Sequence, residues 1–196
     1  AASAAMGHCA YVEANGMVIT HVEVPGKPHF LGVNFWDRLT FEKFKGDPGT
    51  EVMSNVVGSH AVDDARGWLN SVYHRAPFLR AENTKFGYGH ATACAVIDFG
   101  KSKTTTVKQP RVIWPPSGAT NVPTEFWASK ETPNPVPGST IVGSPVSIVT
   151  TDTLEGLKAV LLGPSGTVSI VLLTSKTDPT KLIHTGEAHL VPKEPL

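Results

Sequence analysis

The sequence predicts an α+β protein in which a domain of helices and strands, residues 1–109, precedes a small all-β module, residues 110–196. Two patterns predict this division. Apolar residues recur at three- and four-residue steps in several segments of the first half, as they do in amphipathic helices. From residue 112 onward, short apolar segments alternate with turns rich in proline and glycine, which is typical of short strands.

The composition excludes several classes of function. Basic and acidic residues number 17 each, which argues against a nucleic-acid surface or a polybasic membrane anchor. Apolar residues make up 40% of the 196 residues, enough for a globular core. No apolar run is long enough for a transmembrane segment, and no signal peptide is visible in the chain.

The first half begins with an Ala-rich helix over residues 1–15, which Gly16 ends. A short helix is predicted over residues 35–44, and residues 51–57 form either a strand or a buried loop. Ser59 is the expected N-cap of a helix over residues 60–72.

Beyond that helix, Pro77 prevents any continuation, and residues 86–99 form one strand. Residues 101–110 form a surface hairpin or linker. In the all-β module, four strands are predicted over residues 142–151, 157–162, 167–174 and 187–191. Their short length and the turns between them predict a sandwich-like, Ig-like module.

The two cysteines, Cys9 and Cys94, have small or neutral neighbours. The favoured interpretation is two buried core residues. A disulfide remains an alternative, since sequence alone does not give the distance it needs. No paired C-x-x-C suggests a Cys-type zinc site.

Three polar residues could carry chemistry. His21 follows a turn, Glu51 follows a turn, and His74 follows the end of a predicted helix. Two imidazoles and one carboxylate on loops could meet in one cleft and bind a metal ion. Spacing alone supports this weakly, because no H-E-x-x-H motif is present. The alternative for each histidine is a surface or helix-capping role.

Other motifs give little support for catalysis. A Ser/His/Asp triad can be assembled on paper from Ser71 or Ser54 with His74 and Asp98, but no G-x-S-x-G elbow accompanies it. Neither a phosphate-binding loop nor a dinucleotide fingerprint is present.

An ordered series of motifs in residues 1–100 resembles a known family. The motifs are HCAYVEANG and HVEVPG, followed by WLNS, YHR, FGYG and DFG. In this order they resemble bacterial domains of the CAP superfamily (SCP-like domains of cysteine-rich secretory, antigen 5 and pathogenesis-related proteins). The WPPSGATNVP and ETPNPVPG segments resemble, more loosely, a β module that follows some bacterial members.

The resemblance implies an α-β-α sandwich in an extracellular or cell-envelope protein. It also implies a cleft in which two histidines and two acids hold a divalent metal such as zinc (Zn). Transferred to this sequence, the family's metal ligands correspond to His21, Glu51 and His74. The position of the family's second acid is occupied by Ser71. The residues expected around the cleft as ligand-binding groups are Glu23, Ser71, Tyr73 and Arg75. The family's leading segment is missing before Ala1, which suggests truncation.

We expect a secreted module that binds a ligand or metal without turnover. Its partner would be a small ligand, a lipid or a cell-envelope component. The alternative is a metal-assisted, peptidase-like hydrolase using His21, Glu51 and His74. A third hypothesis is a structural envelope protein with a vestigial cleft. The serine at position 71 and the lack of an evident nucleophile favour binding.

Overall fold

A computed structural model describes residues 1–55, 60–102, 108 and 110–196. The chain forms two compact units. The first consists of Ala1–Gly67 with Ala81–Val107, and the second consists of Trp68–Arg80 with Lys108–Leu196. In the part of the chain that the structure describes, each helix is too short or too polar to cross a bilayer.

Unit 1 contains a three-stranded antiparallel sheet and the helices around it. The helices are α1 (Ala2–Ala14), α2 (Phe35–Phe41) and α3 (Ala61–Leu69), whose last two residues belong to unit 2. The strands are β1 (Asp47–Ser54), β2 (Lys85–His90) and β3 (Ala95–Lys101), in the order β1-β3-β2. The predicted mixture of helices and strands is confirmed at this level.

Strand β2 uses its two faces differently. A Cβ on Gly87 would lie 1.9 Å from the backbone nitrogen of Ala2, and one on Gly89 would lie 2.3 Å from the carbonyl carbon of Ala5. Both glycines therefore allow close approach of α1 to the strand. Tyr88 points to the opposite face because side chains alternate along a strand, and its hydroxyl donates to Asp64 of α3 at 2.7 Å.

Cys9 and Cys94 form a disulfide, with their Cα atoms 5.4 Å apart. Both cysteines are fully buried, as the favoured interpretation predicted, and the disulfide that was the alternative is present. The cysteines are separated by 85 residues, and the packing of α1 on β2 and β3 brings them together. Sequence spacing contains no information about that distance.

The predicted single strand over residues 86–99 is wrong, since β2 and β3 form a hairpin. The amide of Ala91 donates to the carbonyl of Cys94 at 2.8 Å and closes the turn. No glycine, proline, asparagine or aspartate marks residues 91–94, so the usual turn signals are missing.

Other predicted elements differ mainly at their ends. The first helix is confirmed as α1, whereas α2 and α3 end at Phe41 and Leu69, three residues earlier than predicted. The predicted N-cap, Ser59, and most of the predicted linker over residues 101–110 lie outside the described residues.

The first segment of unit 2 contains helix α4 (Ala76–Leu79), in which Pro77 occupies an early position that proline tolerates. Its strands are short: β4 (Val112–Trp114), β5 (Glu125–Phe126), β6 (Val142–Gly143), β7 (Val146–Val149), β8 (Leu161–Gly163), β9 (Gly166–Val168), β10 (Ile170–Thr174) and β11 (Glu187–Pro192). Among the described residues they form a four-stranded antiparallel sheet, β10-β11-β7-β4, and two hairpins, β5-β6 and β8-β9.

The segment Trp68–Arg80 contributes directly to the core of unit 2. Val72 is fully buried and packs in one cluster with Phe126, Val142 and Leu173. Burying a valine side chain stabilises a fold by about 1.5–3 kcal/mol. The residues around His74 are thereby anchored to the β module.

Candidate functional site

His21 in unit 1 is an exposed imidazole oriented by a buried carboxylate. Its Nδ1 lies 2.7 Å from Oε1 of Glu51, and the side chains are 56% and 2% exposed, respectively. Glu51 lies on β1, whereas His21 lies in the loop between α1 and α2. Because Nδ1 faces the carboxylate, Nε2 is the ring nitrogen left for another partner.

Three buried polar side chains form a connected series next to this pair. Nη2 of Arg38 donates to Oε2 of Glu51 at 2.5 Å, and Nε of Arg38 lies 3.7 Å from Oε1 of Glu23. Nδ1 of His8 in turn lies 2.8 Å from the same Glu23 oxygen. The side chains of Arg38, Glu23 and His8 are fully buried. Both oxygens of Glu51 are therefore engaged by nitrogen groups.

Asp98 faces Glu51 across strands β1 and β3, where the two residues are register partners. Its carboxyl group is fully buried, and neither oxygen has a hydrogen-bond partner among the described residues. Burial, with the negative charge of Glu51 second, raises the pKa of Asp98 to about 9.

Burial also raises the pKa of Glu51, but the hydrogen bond from His21 and the charge of Arg38 outweigh it, so the net pKa is below the ordinary value. The two neighbouring carboxyl groups thus differ in charge at neutral pH: Glu51 is ionised and Asp98 is protonated.

His74 in unit 2 has a similar arrangement with a different glutamate. Its Nδ1 lies 3.0 Å from Oε1 of Glu131, which follows the 3₁₀ helix Ala128–Lys130. Glu131 also accepts hydrogen bonds from the backbone amides of Val72, Tyr73 and His74, at 2.9, 2.7 and 3.1 Å. The glutamate therefore fixes both the loop and the imidazole.

The neighbours of His74 are anchored in unit 2 as well. The Tyr73 hydroxyl donates to Asp178 at 2.6 Å, and burial together with that hydrogen bond raises the pKa of Tyr73. Arg75 is 2% exposed and donates to the carbonyl of Pro145 at 2.6 Å. Burial lowers the pKa of Arg75 to about 10.

The predicted residues thus divide between the units. The structure brings His21 and Glu51 together in unit 1, whereas His74 contacts Glu131 in unit 2. Glu23 is fully buried, and the hydroxyl of the buried Ser71 donates to the carbonyl of Trp68 at 2.7 Å.

Sequence reasoning missed Arg38 and Glu131. No sequence signal identifies Glu131, which is 57 residues from His74. Arg38 gave a weak signal, as an arginine beside apolar positions on the predicted helix over residues 35–44.

A divalent cation with Glu51 as a ligand does not fit this donor set. The two Glu51 oxygens contact His21 and Arg38, and a guanidinium at that distance would repel a cation. In the part of the chain that the structure describes, no group of three or more His, Cys, Asp or Glu side chains is arranged to hold a metal ion. Glu51 instead orients the His21 ring through the contact with its Nδ1 atom.

A histidine whose Nδ1 faces a carboxylate can accept a hydrogen bond from a ligand through Nε2. A ring that is already held in one orientation loses less entropy when it binds a ligand. Each of His21 and His74 has this capacity within its own unit.

Comparison with known proteins gives one similarity. No protein-family model and no curated protein matches the chain. Among solved structures, it is similar to an extracellular protein containing an SCP domain from Bacillus anthracis str. Ames, with 28% identity and a TM-score of 0.44. The match covers 52% of this chain and 31% of that protein, so the chain spans about a third of its length.

Proposed function

We propose that this chain is a CAP-type, SCP-like binding module that works outside the cell or in the cell envelope. It holds a polar ligand through histidine Nε2 atoms and does not turn it over. One observation carries the proposal: His21 is exposed, and its orientation is fixed by a glutamate that a buried arginine neutralises.

Burying charged side chains next to His21 costs free energy, and this cost supports a functional role for the site. Removing an ion from water costs several kcal/mol, and apolar residues of the same volume often stabilise a fold as well or better. Arg38, Glu23 and Glu51 are all in the interior of unit 1. Buried charges and shifted pKa values are concentrated at functional sites in proteins. A ligand site at His21 accounts for this arrangement.

The motif series and the layers of unit 1 support the CAP-type assignment. Helix α1 packs on one face of β2, and Asp64 of α3 binds Tyr88, which points to the other face. This arrangement is compatible with an α-β-α sandwich. The Ig-like assignment of unit 2 rests on its short antiparallel strands.

The disulfide supports the proposed extracellular location. Disulfides persist in oxidising compartments and are rare in the cytosol of mesophiles. Cys9 and Cys94 are both fully buried, so they have no evident redox or catalytic use.

The geometry favours binding over metal-assisted hydrolysis. A general base or metal ligand needs a carboxylate oxygen that can reach the substrate or ion, and both Glu51 oxygens have partners in the protein. Zinc binding is therefore an outcome to test and not the primary proposal.

The test follows each histidine imidazole by NMR in protein labelled at histidine. The probes are zinc chloride, a chitin tetrasaccharide, a synthetic muropeptide and phosphatidylglycerol vesicles. We expect a non-metal probe to shift the His21 or His74 signals more than those of exposed His29. Glu51→Gln should weaken the effect at His21, whereas Glu155→Gln, at an exposed position, should not.

Two results contradict the proposal. Equal shifts at His21, His74 and His29 with every probe would show that neither predicted histidine is a ligand site. A response to zinc alone, lost in His21→Ala, would replace the proposed polar ligand with a metal.

A further inference from the structure

Trp127 in unit 2 is an exposed tryptophan whose indole is held by two neighbouring side chains. Nε1 of Trp127 donates to Oε1 of Glu125 at 3.2 Å, and Nζ of Lys130 lies over the ring, 4.6 Å from its centre. The residue is nevertheless 43% exposed. One edge and one face of the indole therefore have partners in the protein, and the remaining surface is accessible to a ligand.

The backbone that carries this indole is anchored in the interior of unit 2. Phe126 precedes Trp127 and Ala128 follows it, and both are buried members of the apolar core of this unit. The amide of Ser129 donates to the carbonyl of Thr140 at 3.2 Å, which ties the next residue to a second segment. The position of Trp127 on the surface is therefore set by the packing of its neighbours.

The fixed direction of the indole distinguishes Trp127 from an ordinary exposed apolar residue. Single exposed apolar side chains are common on protein surfaces and need no ligand to explain them. Here, however, two charged side chains hold the ring in one orientation. Tryptophan combines a large apolar area with few rotatable bonds, so a ring held in this way loses little entropy when a ligand covers it.

The two charged side chains beside the indole indicate which ligand suits it. The carboxylate of Glu125 accepts hydrogen bonds, the ammonium of Lys130 donates them, and their charges are opposite. An anionic ligand would be repelled by Glu125 and a cationic ligand by Lys130. A neutral sugar fits both groups, because the C–H face of a pyranose ring is apolar and the hydroxyls around the ring both donate and accept.

We propose that Trp127 is a saccharide-binding subsite, on which a pyranose ring stacks while Glu125 and Lys130 bind its hydroxyl or acetamido groups. Trp127 directly precedes the 3₁₀ helix and Glu131 directly follows it. At a rise of about 2 Å per residue, the Cα atoms of these two residues are about 8 Å apart. Glu131 orients His74, so the subsite names a ligand class for the site at His74 and on that point rests on the proposed function.

The test follows the indole N–H signal of Trp127 by NMR in the isotope-labelled whole chain while a chitin tetrasaccharide is added. We expect a saturable shift of this signal. Trp36 in unit 1 is the internal control, because it is exposed to a similar extent, 48%, and its indole signal should not move. Sorbitol has hydroxyls but no ring, and tetra-alanine has peptide donors and acceptors but no sugar, so neither should shift Trp127.

The key variant is Trp127→Ala, which removes the stacking surface. It should weaken binding of the tetrasaccharide about tenfold, since a stacked contact contributes about one decade of affinity at most. Trp36→Ala is the matched control and should bind as wild type does. Lys130→Met keeps the length of the side chain but removes its donors, and it should weaken binding about threefold.

The histidine signals separate this subsite from the proposed function. A shift at His74 without one at Trp127 would overturn the subsite and leave the proposed function intact. A shift at Trp127 without one at His74 would support the subsite and contradict a ligand site at His74.

Three further results reject the subsite. They are equal behaviour of the Trp127 and Trp36 signals, wild-type affinity in Trp127→Ala, and a response to sorbitol or tetra-alanine that matches the response to the tetrasaccharide. Should Trp127→Ala fail to fold, the comparison of the two indole signals in the wild-type protein still decides the question.

Discussion

At the scale of single residues, the most unusual group is the protonated carboxyl of Asp98 beside ionised Glu51. Between pH 3.8, where an unfolded aspartate titrates, and about pH 9, the folded state keeps a proton that the unfolded state releases. Stability contributed by Asp98 is therefore complete at acidic pH and is lost as the pH rises. The buried carboxyl of Asp98 therefore lowers the unfolding free energy of the protein at neutral pH.

Asp98→Asn should consequently stabilise the protein at neutral pH, because the amide has no proton to lose. Its advantage in unfolding free energy over wild type should grow by about 1.4 kcal/mol per pH unit within that window. Urea denaturation at a series of pH values measures this. Exposed Asp152→Asn is the control, and an advantage that does not change with pH would contradict the assigned charge of Asp98.

Glu131 is the second residue whose replacement is informative. Glu131→Gln keeps the size of the side chain but replaces one acceptor oxygen by an amide donor that faces backbone N–H groups. We expect a loss of about 1–3 kcal/mol in unfolding free energy. A matching change in the His74 imidazole signals should accompany it, while Glu155→Gln changes neither; unaltered His74 signals would rule out a positioning role for Glu131.

At the scale of elements, the contact between α1 and β2 depends on residues without side chains. Gly89→Ala would place a methyl group against the backbone of Ala5, which cannot move aside as a flexible side chain can. Overpacking of this kind costs about 1–3 kcal/mol, or more when backbone must shift. Urea denaturation of the variant should show such a loss.

Gly163→Ala is the control for that substitution. Its Cβ would lie 3.2 Å from a methyl carbon of Val168 and 3.8 Å from the carbonyl oxygen of Gly166, with no backbone atom closer. Its unfolding free energy should therefore stay near that of wild type. Equal effects at positions 89 and 163 would mean that close packing of α1 is not what requires glycine in β2.

At the scale of the whole molecule, the disulfide closes a long loop. Cys9 and Cys94 are separated by 85 residues, and a loop of that length predicts about 4.5 kcal/mol of stabilisation through the unfolded chain. Reduction should lower the unfolding free energy by that order. The Cys9→Ala, Cys94→Ala double variant should be equally destabilised and insensitive to reductant, and a reductant effect that persists in it would point to another cause.

The elements were more predictable than the site. Helix α1 follows from the apolar period of residues 1–15 and from Gly16, both of which are local signals. The hairpin after β2 was missed because residues 91–94 lack the usual turn residues. The helix ends shifted by three residues because packing, and not propensity, decides where a marginal last turn stops.

The partners of the two site histidines could not be predicted by spacing. Glu51 is 30 residues from His21, and it was selected by resemblance to a family motif. Glu131 is 57 residues from His74, in a stretch dominated by proline and glycine. Neither distance corresponds to a helix or strand period, so only the tertiary fold reveals the pairs.

The hydrogen bonds from the backbone amides of residues 72–74 to Glu131 have a consequence for biosynthesis. Ribosomes add about 5–20 residues per second, so Glu131 is made roughly 3 to 11 seconds after His74. Until then those amides and the imidazole lack the acceptor that they have in the folded protein. The contacts that Glu131 makes with the His74 region therefore form only after residue 131 has been translated, however early the preceding helix forms.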